Sequence, residues 1–176
     1  IVLIGLTFGQ TVKELLFNDI AIAIGLIVGG LIIIWIEKNP PVIKAEEVEN
    51  MSYKDMIWIG LIRVLSLIPG TSRSGATIIG AMFLGVSRKA ATEFSFFLGI
   101  PVIIGAGLLD LYQSYDVFQT TEDWAVIATG LIVSFVSALI LIRVLVAYVA
   151  KRDFMIFAWY RIASGLIILL FAYNSL

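Results

Sequence analysis

The sequence predicts an all-α integral membrane protein, with transmembrane helices and one re-entrant helix-loop-helix hairpin. Three observations predict it. Hydrophobic residues fill 60% of the 176 positions and mean hydropathy is +1.03, whereas soluble domains hold roughly 45–50% apolar residues. Several apolar runs approach the ~20 residues that a helix needs to cross a bilayer. Between two shorter apolar runs sits one dense polar cluster, Pro69-Gly70-Thr71-Ser72-Arg73-Ser74-Gly75-Ala76-Thr77. Residues 1–176 read as a single membrane domain.

Composition also excludes. A net charge of −1 leaves no basic patch for nucleic acid. With no cysteine there is no disulfide or thiol chemistry, and with no histidine no imidazole can serve as nucleophile or proton shuttle from this chain.

The elements follow in order. Residues 1–8 are apolar from the first position, an isoleucine, yet eight residues rise only ~12 Å against a ~30 Å hydrocarbon core. They are expected to be the cut end of a longer helix, and the chain a fragment. A polar connection over 10–19 contains Lys13, Glu14 and Asp19. The first span covers 20–36, where Gly25 and Gly29 form a GxxxG face suited to close helix contact. Segment 37–55, with Pro40-Pro41, Glu46, Glu47 and Glu49, reads as a solvated loop.

Residues 56–68 and 75–86 are apolar but number 13 and 12, too few to cross. Two half-length helices meeting at a glycine-rich polar tip make the hairpin, over 56–86 with its loop at 69–77. Irregular backbone at such depth is tolerated only when buried in protein or lining a water-filled cavity. Arg88 and Lys89 close it. Spans follow at 94–109 (Pro101 kinking it, Gly105 and Gly107 softening it), at 125–142 with a continuation to 150, and at 154–173.

Basic residues favour the cytoplasm. Lys38, Lys44 and Lys54 precede the hairpin, Arg88 and Lys89 follow it, and Lys151 and Arg152 form the last turn, while 113–123 has no lysine or arginine. These assignments agree only if the hairpin enters and leaves on the cytoplasmic side. An arm of 13 helical residues reaches ~20 Å, placing the tip past the midplane.

At membrane depth, an arginine beside several hydroxyls marks a site, because such groups are expensive to desolvate unpaired. The glycines free backbone N–H groups to turn inward, and the helix that follows directs its positive end at the cluster. Together these make an anion site suited to phosphate. Gly70-x4-Gly75-Ala76-Thr77 also matches the glycine spacing of a P-loop, but Ala76 stands where the lysine belongs and the preceding run reads as a helix. That alternative is rejected. A plain interhelical loop is the remaining one.

The nine-residue cluster resembles the PGxSRSxxT signature of the undecaprenyl-pyrophosphate phosphatase family, the bacitracin-resistance type. Gly85-Val86-Ser87-Arg88, Glu93-Phe94-Ser95-Phe96 and Ile100-Pro101 resemble it too, over essentially the whole chain. The resemblance implies a multi-pass enzyme of the bacterial inner membrane. It would hydrolyse undecaprenyl pyrophosphate to undecaprenyl phosphate and inorganic phosphate, recycling the carrier lipid for cell-wall (peptidoglycan) synthesis. It also implies two inverted repeats, each with a hairpin, of which this chain is the C-terminal one.

On this basis Arg73 would bind the pyrophosphate and stabilise developing charge. Ser72, Ser74 and Thr77 would hydrogen-bond phosphate oxygens, helped by Thr71 and by backbone amides from Gly70 to Gly75. Arg73, Ser72 and Thr77 are the catalytic candidates; Gly70, Thr71, Ser74, Gly75 and Arg63 are the binding candidates. The family's pair of glutamates four apart, with a nearby serine and histidine, has no counterpart, since Glu46 and Glu49 lie three apart in a loop. A divalent cation, Mg or Ca, is implied, with ligands expected in the missing N-terminal part, so no residue is assigned to metal. The 176 residues alone are expected to be inactive.

The partners implied are the polyprenyl pyrophosphate lipid, the bilayer, the missing repeat and, as an open alternative, a second copy in a homodimer. A transporter-like lipid-phosphate or anion carrier is the other functional reading. Arg63 stands where a neutral polar residue is expected and serves either phosphate or a carboxylate such as Glu93. Glu93 reads as an interfacial residue. Arg143 and Arg161 read as pairing with carboxylates or snorkelling, with substrate contact the lesser alternative for Arg161. Trp35, Trp58, Trp124 and Trp159 read as interfacial anchors.

Overall fold

The computed structural model describes residues 18–115 and 120–174. The expectations for residues 1–8, Lys13 and Glu14 lie outside the described residues. Among the described residues six α-helices run in order: α1 (Asp19–Lys38), α2 (Tyr53–Ile62), α3 (Arg73–Phe83), α4 (Arg88–Gln113), α5 (Thr121–Val149) and α6 (Met155–Asn174). Short 3-10 turns occupy Val48–Asn50 and Arg63–Leu67. Helices α1, α4, α5 and α6 are long and apolar enough to cross a membrane, at the four places the apolar runs indicate.

Helix ends follow local chemistry. Asn18, Ser52, Ser72, Ser87 and Thr120 each accept a backbone N–H at the start of α1, α2, α3, α4 and α5, satisfying donors that no carbonyl can reach. Because Ser87 caps α4, that helix begins six residues earlier than the run at 94–109 suggests, and it continues through Pro101. The first hairpin arm is two pieces rather than one helix, α2 followed by the Arg63–Leu67 turn. Ile68, held extended before Pro69 (φ −72°, ψ 125°), ends it. At the far end of α3, Gly85 (φ +90°) closes the helix, with Val86 N–H donating to Ala81 O at 3.0 Å and Gly85 N–H to Met82 O at 2.9 Å.

The hairpin returns to where it started. Lys44 N–H donates to Gly85 O (2.7 Å), Ser87 N–H to Ala45 O (2.9 Å) and the Ser87 hydroxyl to Glu46 O (2.7 Å). Nearby, Glu37 at the end of α1 accepts from the Arg88 guanidinium and from Phe154 N–H (3.0 Å). This carboxylate, 3% exposed, ties the starts of α4 and α6 to the end of α1. Lys38, Arg88, Lys89, Lys151 and Arg152 are thereby gathered at one end of the bundle.

Helices α1 and α6 pack antiparallel through small residues. A Cβ added to Gly30 would meet Ala158 O at 2.8 Å, and one added to Gly165 would meet Ala23 O at 2.8 Å. Gly25 and Gly29, expected to form the helix-packing face, serve differently. A Cβ on Gly25 would fall 2.4 Å from Pro69 O and one on Gly29 2.1 Å from the Arg161 guanidinium. Gly25 thus receives the hairpin tip, whereas Gly29 meets α6 through the Arg161 side chain and Gly30 meets the α6 backbone. Most of α5 and the second half of α4 expose their apolar side chains.

Candidate functional site

The tip forms because Gly70 can adopt φ +79°, a left-handed turn that most side chains resist. Thr71 N–H closes the turn on Ile68 O at 3.1 Å. The tip presses into α1 backbone against backbone, since a Cβ on Gly70 would lie 2.3 Å from Ile22 O. Gly25 stands twelve residues before Glu37 in α1, so the tip lies ~18 Å from the basic end.

Helix α3 then opens with its N-terminal turn at the tip. Ser72 Oγ accepts from Gly75 N–H at 3.1 Å, which leaves its hydroxyl hydrogen free to donate outward. The Arg73 and Ser74 amides head the helix without carbonyls of a preceding turn. Ser72, Arg73 and Ser74 are exposed and Thr71 is half-buried.

Thr77 is placed otherwise. It is fully buried, and its hydroxyl donates to Arg73 O at 2.9 Å. The helical i−4 bond turns it inward, so it braces the first turn of α3 rather than presenting an oxygen to a ligand. Arg63 is 8% exposed and its Nε has no hydrogen-bond partner. Glu93, one alternative partner for it, lies instead 4.0 Å from Lys89 on the same helix.

Arg161 is the residue whose place the sequence misjudged. It pairs with no carboxylate among the described residues and does not snorkel away from the core. Its Nη2 donates to Gly70 O (2.9 Å) and Gly25 O (3.2 Å), and its Nε points at Leu26 O (3.5 Å). One side chain from α6 thus holds α1 and the tip together. An arginine alone inside an apolar span was the available signal; nothing in its spacing names Gly70. Glu37 was missed altogether, since its partners lie 51 and 117 residues away.

Two cavities of about 390 Å³ each flank α3 and share Ile33, Ser72, Gly75, Ile79 and Arg161. One runs between α1 and α3 toward Trp35 and Phe83, whose rings sit 6.3 Å apart. The other runs toward Val149, Phe157 and Tyr160. The arrangement offers anion-binding hydrogen-bond donors where two apolar grooves meet. It does not suit a divalent cation. The tip carries arginines and no carboxylate, and among the described residues no three acidic, histidine or cysteine side chains gather.

Comparison with known proteins gives consistent matches. The family described as bacitracin resistance protein BacA matches residues 1–167. Undecaprenyl-diphosphatase 1 of Acinetobacter baylyi is 81% identical over 175 residues, covering 99% of this chain and 64% of the relative. Undecaprenyl-diphosphatases of Psychrobacter cryohalolentis and Nitrosospira multiformis are 57% and 50% identical over 174 residues, each covering 99% of this chain and 62% and 63% of the relative. The chain therefore spans a little under two thirds of the length of these relatives.

Proposed function

We propose, from the premise that the chain belongs to the bacitracin resistance protein BacA family, that its tip binds the diphosphate of undecaprenyl diphosphate and assists removal of the terminal phosphate. The observation that carries this reading is the open first turn of α3, where Ser72, Arg73 and Ser74 are exposed and Ser72 lies in the wall of both apolar grooves. An amphiphile with an anionic head and an isoprenoid tail has the matching shape and polarity.

Phosphoryl transfer asks mainly for positioning and charge stabilisation. Arg73 supplies a guanidinium fork to the terminal phosphate. The Ser72 hydroxyl, already oriented by its cap, donates to a phosphate oxygen, as do Ser74 and the first amides of α3. Thr77 fixes the turn that carries them. A hydroxyl nucleophile needs a base or metal near neutral pH, and the described tip residues supply neither.

The topology belongs to the same reading. Residues 53–86 enter and leave from the basic, cytoplasmic end as a re-entrant hairpin, one element of an inverted-repeat architecture in the bacterial inner membrane. The pairing of Ala45 with Val86 at the hairpin base supports this.

The test is Arg73→Ala in the full-length protein, read as phosphate released from undecaprenyl diphosphate in detergent and as affinity for the lipid diphosphate. Both are expected to be lost. Arg73→Lys is expected to rescue little, because an ammonium cannot reproduce a bidentate fork. Release in detergent separates hydrolysis from carriage across a membrane, which needs two compartments. Near-normal activity in Arg73→Ala would remove the anion site.

A further inference from the structure

The base and the tip of the hairpin treat positive charge in opposite ways. At the base, Arg88 is matched by Glu37 and Lys89 by Glu93. Around the tip, Arg63, Arg73 and Arg161 have no carboxylate partner among the described residues. Carbonyl oxygens satisfy hydrogen bonds but leave a net charge in apolar surroundings, which is costly until an anion neutralises it.

Arg161 is the best placed of the three to show what that anion is. Its Nε and Nη2 are committed to Leu26, Gly25 and Gly70 carbonyls. Its Nη1 is not, and it lies 3.6 Å from where a Cβ on Gly75 would stand, in the wall shared by both cavities. The guanidinium is held rigidly by one edge with the other edge directed at the first turn of α3.

We propose that Arg161 is a second anion-binding residue, whose Nη1 donates to the diphosphate from the α6 side while Arg73 holds the terminal phosphate. This rests on the reading of the tip as a diphosphate site. With two guanidiniums, a diphosphate engages both and a monophosphate engages one. Arg161 therefore sets the preference for diphosphate over monophosphate, and loss of the terminal phosphate weakens the grip on the product.

The probes are inorganic pyrophosphate and inorganic phosphate, titrated calorimetrically into the detergent-solubilised protein. Arg161→Gln keeps a donor for the carbonyls and removes the charge. It is expected to weaken pyrophosphate about 10- to 100-fold, the range for a hydrogen bond to a charged group, with a smaller effect on phosphate. Arg161→Lys is expected to recover part of the loss, which a purely structural clamp would not predict. An unchanged preference in folded Arg161→Gln overturns the proposal. If that variant does not fold, phenylglyoxal labelling of the unaltered protein decides. Protection of Arg161 by pyrophosphate supports the assignment, and undiminished labelling overturns it. Unaltered protein that ignores pyrophosphate, or Arg73→Ala that binds it normally, overturns the diphosphate site itself and this inference with it. Loss in Arg73→Ala alone sinks only the role of Arg161.

Discussion

Gly25→Ala tests whether contact between α1 and the tip sets the geometry of the site. A Cβ at Gly25 would stand 2.4 Å from Pro69 O, about 1 Å inside ordinary contact. The obstacle is backbone, so no side chain can swing away. Helix α1 cannot retreat easily, because Ala23 and Gly30 are already pressed against Gly165 and Ala158 of α6. The tip must give by about 1 Å, carrying Ser72 and Arg73 with it. A misplacement of that size costs on the order of 100-fold in turnover when positioning dominates catalysis. The assay is phosphate release at saturating lipid diphosphate, with a thermal melt to show that the protein is folded. Gly99→Ala is the control, since nothing lies within 4 Å of a Cβ there. Wild-type turnover in folded Gly25→Ala would refute the argument that this contact positions the tip.

Other expectations concern stability and topology. Glu37→Ala breaks a buried ion pair and strands Phe154 N–H; with the Arg88 side chain 38% exposed, the loss is about 2–3 kcal/mol, measurable by denaturant unfolding. Glu93→Ala, removing a 4.0 Å surface pair, is expected to cost under about 0.5 kcal/mol in the same assay. Thr77→Val removes only the hydroxyl bond to Arg73 O, so it is expected to cost about 1 kcal/mol of stability and leave pyrophosphate affinity within about two-fold. A large affinity loss would place that hydroxyl on the ligand. Single cysteines at Lys44, Ser87 and Lys151 are expected to label from the cytoplasmic side and one at Ser114 from outside; opposite labelling of Lys44 and Ser87 would mean that the intervening segment crosses.

What the sequence made legible was whatever local chemistry encodes. Apolar run length located α1, α4, α5 and α6. The glycines of the tip announced a turn that the structure contains at Gly70, and the cluster at 69–77 stands where two cavities meet; that Ser72 also caps α3 was not read from the sequence. Long-range partners were not legible. Glu37 reads as one more charge at the edge of a loop until Arg88 and Phe154 arrive beside it. Gly25 and Gly29 spell a helix-packing motif, yet only the rotation of α1 decides which glycine meets a helix and which meets the tip. Thr77 belongs to the polar signature by spacing, but helical geometry gives its hydroxyl a carbonyl four residues back, and burial does the rest.

The depth of the tip follows from two independent lengths. Along α1, the twelve residues from Gly25 to Glu37 rise ~18 Å. Along the hairpin, α2 contributes ten residues and the Arg63–Leu67 turn five. At ~1.5 and ~2.0 Å per residue these extend ~25 Å, enough to reach the same level on a slanting path. Continuing as α-helix, the last five residues would have fallen ~2.5 Å shorter. The tighter winding therefore lengthens the arm, and it buries Arg63 just short of the tip. On the proposed re-entrant path, a point ~18 Å from the basic end of a ~30 Å hydrocarbon core would lie past the midplane. A charged headgroup can reach it from the water only through a polar opening, and its tail must lie in an apolar groove. In the proposed site the first turn of α3 supplies the polar end, the arginines around it have no carboxylate partner among the described residues, and the apolar grooves beside it suit the tail.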